Sequence, residues 1–123
     1  MAVNYATATK TVRMLATRDD VANGTLEIGV AGMGAVLATY GLNTLGGTVS
    51  GDLWTLGFDA TTVAASNSGN AGEAQIKDAG GTVKVSGLTV GLSGTDIIIA
   101  GTSVAITVGQ DVQVTSATIQ HAA

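Results

Sequence analysis

From Glu73 to Ala122, short runs of Val, Ile and Thr alternate with Gly, Asp and Ser, the pattern of strands cut by tight turns. Val83, Val85 and Leu88 flank polar Lys84 and Ser86, while Val112, Val114 and Ile119 are interleaved with Gln113, Thr115, Thr118 and Gln120. A period of two places one set of side chains on each face of a sheet. The same reading upstream gives strands over Thr25–Ile28, Val36–Leu42 and Thr48–Phe58, the last with Gly51 or Gly57 as bulges. Asp59 to Gly72 is small and polar and reads as a long loop or insertion tip. Gln75–Lys77 and Val83–Val85 flank Asp78-Ala79-Gly80-Gly81, a hairpin signal. Asp96–Ala100 and Val104–Val108 follow, and Gly109-Gln110 turns into a final strand. The amino-terminal end reads differently. Val12, Leu15, Ala16 and Ala22 stand near helical spacing, with Asn23-Gly24 as a stop, although Val12, Met14 and Ala16 also alternate as in a strand. The pattern therefore predicts an arm over residues 1–8 and one domain over 9–123 with a short helix near 9–22. The fold class is mainly β: a β-sandwich or barrel of about eight short antiparallel strands with one short N-terminal helix.

Composition sharpens this picture. The chain has 123 residues, enough for one modest core. Charged residues make up 11%, against about 25% in ordinary soluble domains, and mean hydropathy is +0.42. So little charge implies either a surface covered by partners or a monomer whose polar face is Thr and Ser. Net charge is −4 and unevenly placed: Lys10, Arg13 and Arg18 come first, and all nine acids follow Arg18. A basic amino-terminal segment on an acidic body suits an acidic neighbour or a solvated helix face, and excludes the broad basic surface that nucleic acid requires. Cysteine and proline are both absent, so there is no disulfide framework, and the turns must rely on 18 glycines with Asn and Asp. The opening MAVNYATATKTVRM has no apolar core and is not a signal peptide. The 24 residues between Glu27 and Asp52 carry no charge, but their Gly, Thr and Asn content and turn signals argue against a membrane span.

Candidate chemistry is thin. Gly29-Val30-Ala31-Gly32-Met33-Gly34 follows a strand-like TLEI, yet Ala31 replaces the middle glycine of a dinucleotide-binding turn, so a flexible loop is expected. His121 is the one histidine and stands near the end of the sequence, a poor place for a triad, and one imidazole without thiolates makes no transition-metal site. Asp19, Asp20, Asp59, Glu73, Asp78, Asp96 and Asp111 are scattered without calcium-loop spacing. Neither a catalytic residue nor a cofactor is expected, and the chain does not read as an enzyme. With only Tyr5, Tyr40, Trp54 and Phe58 as aromatics, a sugar-stacking platform is disfavoured. Trp54 is either a core anchor or an interface hot spot.

Two blocks carry a resemblance. The opening RMLATRDDVANGTLEIG and the closing KDAGGTVKVSGLTVGLSGTDIIIAGTSVAITVGQDVQVTSATIQHA resemble small structural proteins of tailed-bacteriophage morphogenesis clusters. The strings NGTLEIG, SGLTVG-x-SGTDI and TSATIQHA carry the likeness and contain no catalytic group; Gly41 to Gly72 does not align with it. The resemblance implies a virion component assembled in the host cytoplasm. The expected role is a capsid decoration or cement protein on the capsid surface, a homo-oligomer (a trimer favoured) whose partner is the major capsid protein. Tail, baseplate or fibre-attachment proteins and a receptor- or glycan-binding module are the alternatives; neither nucleic acid nor membrane is expected as a partner. The interface candidates are Val3 and Tyr5 in the arm, Lys10, Arg13 and Arg18 toward an acidic capsid surface, and Trp54.

Overall fold

The computed structural model describes residues 5–120. A 15-residue helix, α1 (Thr7–Val21), precedes ten strands: β1 (Thr25–Gly29), β2 (Val36–Ser50), β3 (Leu53–Phe58), β4 (Thr62–Ala64), β5 (Gly69–Asn70), β6 (Glu73–Lys77), β7 (Val83–Gly91), β8 (Ile97–Ile99), β9 (Ala105–Ile106) and β10 (Asp111–Gln120). Seven of them close a ring in the order β3-β2-β1-β6-β7-β8-β10, with β10 pairing back onto β3. Of the two architectures left open by the pattern, the chain adopts the barrel. β4 adds to β10 outside the ring, and β5 and β9 form a separate ribbon.

Strand alternation decides which side chains fill the barrel. Leu26 and Ile28 of β1, Ala74 and Ile76 of β6, and Trp54 and Leu56 of β3 are buried, and their sequence neighbours on each strand are not, apart from Gly29 at the end of β1. Tyr40 is fully buried as well, and its hydroxyl donates to Val112 O at 2.8 Å, joining β2 to β10, which are not neighbours in the ring. No polar or charged residue is buried among the described residues. The core is therefore apolar, with one phenol and one indole tied to backbone carbonyls.

The helix ends where expected. Asn23 takes the left-handed conformation (φ 64), and Gly24 is required because a Cβ there would lie 2.0 Å from Lys77 O. At the other end α1 starts earlier than predicted: Thr7 and Ala8, placed in the arm by the sequence, are helical, and residues 1–4 lie outside the described residues. Other boundaries also move. The predicted strand Thr48–Phe58 is a hairpin, because Gly51 (φ 61) makes a turn and not a bulge, and its first part joins the preceding strand into the long β2. The predicted loop Asp59–Gly72 contains β4 and β5.

One pairing departs from the antiparallel expectation: β7 and β8 run parallel, through Val90↔Ile97 and Gly91↔Ile98. Parallel neighbours normally need a crossover of a dozen residues or more, but only residues 92–96 intervene here. The string SGLTVG-x-SGTDI explains how. Asp96 Oδ2 accepts from the Thr89 N–H at 3.0 Å and from the Thr89 hydroxyl at 3.1 Å, and the Asp96 N–H donates to Thr89 Oγ1 at 3.0 Å. Thr95 donates to Ile97 O at 2.7 Å, and Gly94 supplies the positive φ of 69. A polar clasp of two side chains thus holds a short loop that would otherwise splay, and this loop sets the barrel's seam.

Candidate docking surface

The sequence-selected residues separate into three groups. Trp54 leaves the set: it is fully buried, and its Nε1–H donates to Gly46 O at 2.9 Å. The reason lies in β2. Between Leu42↔Phe58 and Gly47↔Leu56 the register slips, and residues 43–46 loop out, held by Asn43 Oδ1, which accepts from the N–H groups of Leu45 and Gly46. That excursion presents the Gly46 carbonyl to the indole, so Trp54 is a core anchor and not an interface residue.

Lys10 and Arg18 share one stripe of α1 with buried Met14 and Val21, and this stripe faces the barrel. Lys10 Nζ lies 3.8 Å from Asp52, and its side chain is only 18% exposed. Arg18 pairs with Asp19 at 3.0 Å and reaches Gly47 O at 3.4 Å. Both cations are thus engaged within the fold, their charge met by the chain's own groups. Arg13 and Tyr5 stay on the outer side. The Arg13 guanidinium lies 4.5 Å from the centre of the Tyr5 ring, and Val12 beside them is 66% exposed. Val3 lies outside the described residues.

The same internal pairing runs through the rest of the surface. Lys77 pairs with Glu27 at 3.1 Å, and Lys84 pairs with both Asp20 and Asp78. Among the described residues, Arg13 alone of the five cations has no carboxylate within ion-pair distance. The backbone N–H of Thr82, then that of Gly80 and the charge of Lys84, hold the Asp78 carboxyl below its ordinary value. Burial pushes the Tyr40 phenol well above its own. Glu73 accepts from the Gly32 N–H at 3.2 Å, so the glycine-rich segment after β1 is pinned as a short turn and does not open a long helix.

What sequence reasoning missed is the set of large apolar side chains carried by turns. Leu45 (66% exposed), Leu92 and Val108 (60% exposed) join Leu53, Val83, Tyr5 and Val12 at the surface. The signal was present: Leu45 precedes Gly46-Gly47, Leu92 lies between Gly91 and Ser93, and Val108 precedes Gly109. An apolar residue inside a turn string has no sheet face on which to hide.

A small cleft of about 110 Å³ opens between β3 and β10, lined by Thr55, Leu56, Phe58, Thr61, Val114, Thr115, Ser116 and Ala117. Its lining mixes hydroxyl-bearing and apolar side chains, and none of these residues is titratable. Among the described residues no group of three or more His, Asp or Glu side chains could hold a metal ion, and no helix is long and apolar enough to cross a membrane. Compared with known protein families, with curated proteins and with solved structures, the chain matches none.

Proposed function

We propose that this chain is a structural virion protein of a tailed bacteriophage, a decoration or cement protein bound in many copies to the major capsid protein. The observation that carries the reading is the division of the surface: four of the five cations are spent on the chain's own carboxylates, while large apolar side chains stand out on turns and on α1. Such a surface offers little to a charged substrate and suits contact by apolar burial. At roughly 25 cal/mol per Å² of apolar area, a modest footprint gives strong attachment once copies are linked in an oligomer that engages several capsid subunits at once. The resemblance of the opening and closing blocks supports the same reading. The closing block includes the clasped loop that sets the barrel's seam, so the string is explained by architecture and not by chemistry.

The contact residues are revised accordingly. Val12 and Arg13 on the outer face of α1, with Tyr5 just before the helix, replace the Lys10–Arg13–Arg18 set, and the partner sees one stacked guanidinium within an apolar patch. The test is copy number in purified virions whose genome encodes this chain, by quantitative mass spectrometry against the major capsid protein. Hundreds of copies are expected. A dozen or a few dozen would reassign the chain to the tail or neck, and none would remove it from the virion.

A further inference from the structure

α1 is held to the barrel unevenly along its length. Of the residues from Thr7 to Asp20, Met14 alone is buried; the next buried side chain is Val21, in the last position of the helix. The carboxyl-terminal end is anchored by backbone, since Asn23 N–H donates to Asn43 O, Gly24 N–H to Val21 O, and Leu42 N–H to Gly24 O. The amino-terminal half has side-chain tethers only: the Lys10–Asp52 pair at 3.8 Å, and the Thr11 hydroxyl, which faces both Thr7 O and Gly51 O with a single proton to give. A single ion pair at that distance, still reached by solvent, adds little.

The helix is also poorly supported from within. Ala6 stands at the N-cap with no side-chain hydrogen bond, and the first turn has no acidic residue. Asp19 and Asp20 lie near the carboxyl-terminal end, where negative charge opposes the dipole. Thr7, Thr9, Thr11, Val12 and Thr17 are β-branched and lower helix propensity. Local order over Thr7–Thr17 therefore rests largely on one methionine in its seat.

We propose that Thr7–Thr17 is a reversible clasp: it leaves β2 and β3 as a local unit, hinged before Val21, while the barrel remains folded. Release uncovers the seat of Met14 and the Gly51–Asp52 turn, converting a covered surface into a transient one.

Two native-state measurements test this on the full chain. Amides of Thr11–Thr17 are expected to exchange about 100-fold faster than those of Ile28 and Ile76, through an opening that exposes little surface. Met14, only 5% exposed, is expected to oxidise to the sulfoxide under dilute peroxide while the β-sheet circular dichroism is unchanged. Ala6→Asp supplies the missing cap and should slow both processes about fivefold, with the barrel amides and the oxidation of Met33 unaffected. Met14 oxidation that appears only in step with loss of the β-sheet signal would overturn the proposal. So would equal slowing of α1 and barrel amides by Ala6→Asp, because α1 would then open only when the barrel does.

Discussion

Replacing Trp54 by Phe separates a core anchor from an interface residue. The indole is fully buried, and its N–H is the donor to Gly46 O across 2.9 Å. Phe keeps an aromatic ring but removes that donor and part of the volume. Leaving a buried carbonyl without its partner costs about 1–3 kcal/mol, and the smaller ring adds a cavity term of about 1 kcal/mol. We expect Trp54→Phe to destabilise the barrel by about 3 kcal/mol. At 123 residues this corresponds to a fall in Tm of the order of 10 °C. Because Trp54 is the single tryptophan, the transition is followed by far-UV circular dichroism in urea, with an unchanged m value as the sign that the unfolded state is the same. A loss below about 1 kcal/mol would refute the anchoring argument. Unchanged stability with lost head binding would return Trp54 to the interface.

Gly47→Ala should be far worse than Gly81→Ala, although both positions have positive φ: a Cβ at Gly47 would lie 2.1 Å from Thr55 O, whereas nothing lies within 4 Å at Gly81. Gly81→Ala should cost only the backbone strain of about 1–2 kcal/mol, and Gly47→Ala at least 3 kcal/mol, both read from urea midpoints; similar values for the two would contradict the close approach. Tyr40→Phe should cost about 1 kcal/mol for the lost bond to Val112 O. Burial raises the Tyr40 pKa above its ordinary value of 10.0, so this residue's stabilisation is complete below pH 10 and is lost as the pH rises beyond it. The phenylalanine variant should lack that share of the alkaline loss in a pH series. Arg13→Glu, on the outer face of α1, should leave stability within about 0.5 kcal/mol of the parent and, on the proposed decoration role, weaken binding to expanded phage heads. Lys10→Gln, already engaged with Asp52, should change head binding little.

The strand-and-turn pattern alone determined that the chain is mainly β with a helix first, because period-two alternation and Asn or Gly at chain reversals are local properties. Asn23-Gly24 is the clearest case: the dipeptide predicts the end of α1, and the structure supplies the reason in the approach of Lys77 O. Alternation also picked out Leu88, Val112 and Val114, which are buried, but in the same sets Val83, which stands exposed. It could not choose between sandwich and barrel. That choice depends on β10 reaching back to β3, a pairing of distant residues without any shared local signal, and on the parallel step from β7 to β8, whose direction alternation alone does not reveal. The candidate surface was less legible still. Lys10, Arg13 and Arg18 look equivalent in sequence, but the helix turns Lys10 and Arg18 onto the barrel beside Met14 and Val21 and leaves Arg13 against Tyr5. A helix has one covered face, and which residues lie on it is fixed only when the helix docks. Trp54 was likewise undecided until the excursion of residues 43–46 brought Gly46 O within reach of its indole. Local sequence wrote the elements; contacts between strands far apart in the chain decided which side chains stay at the surface and which face one another.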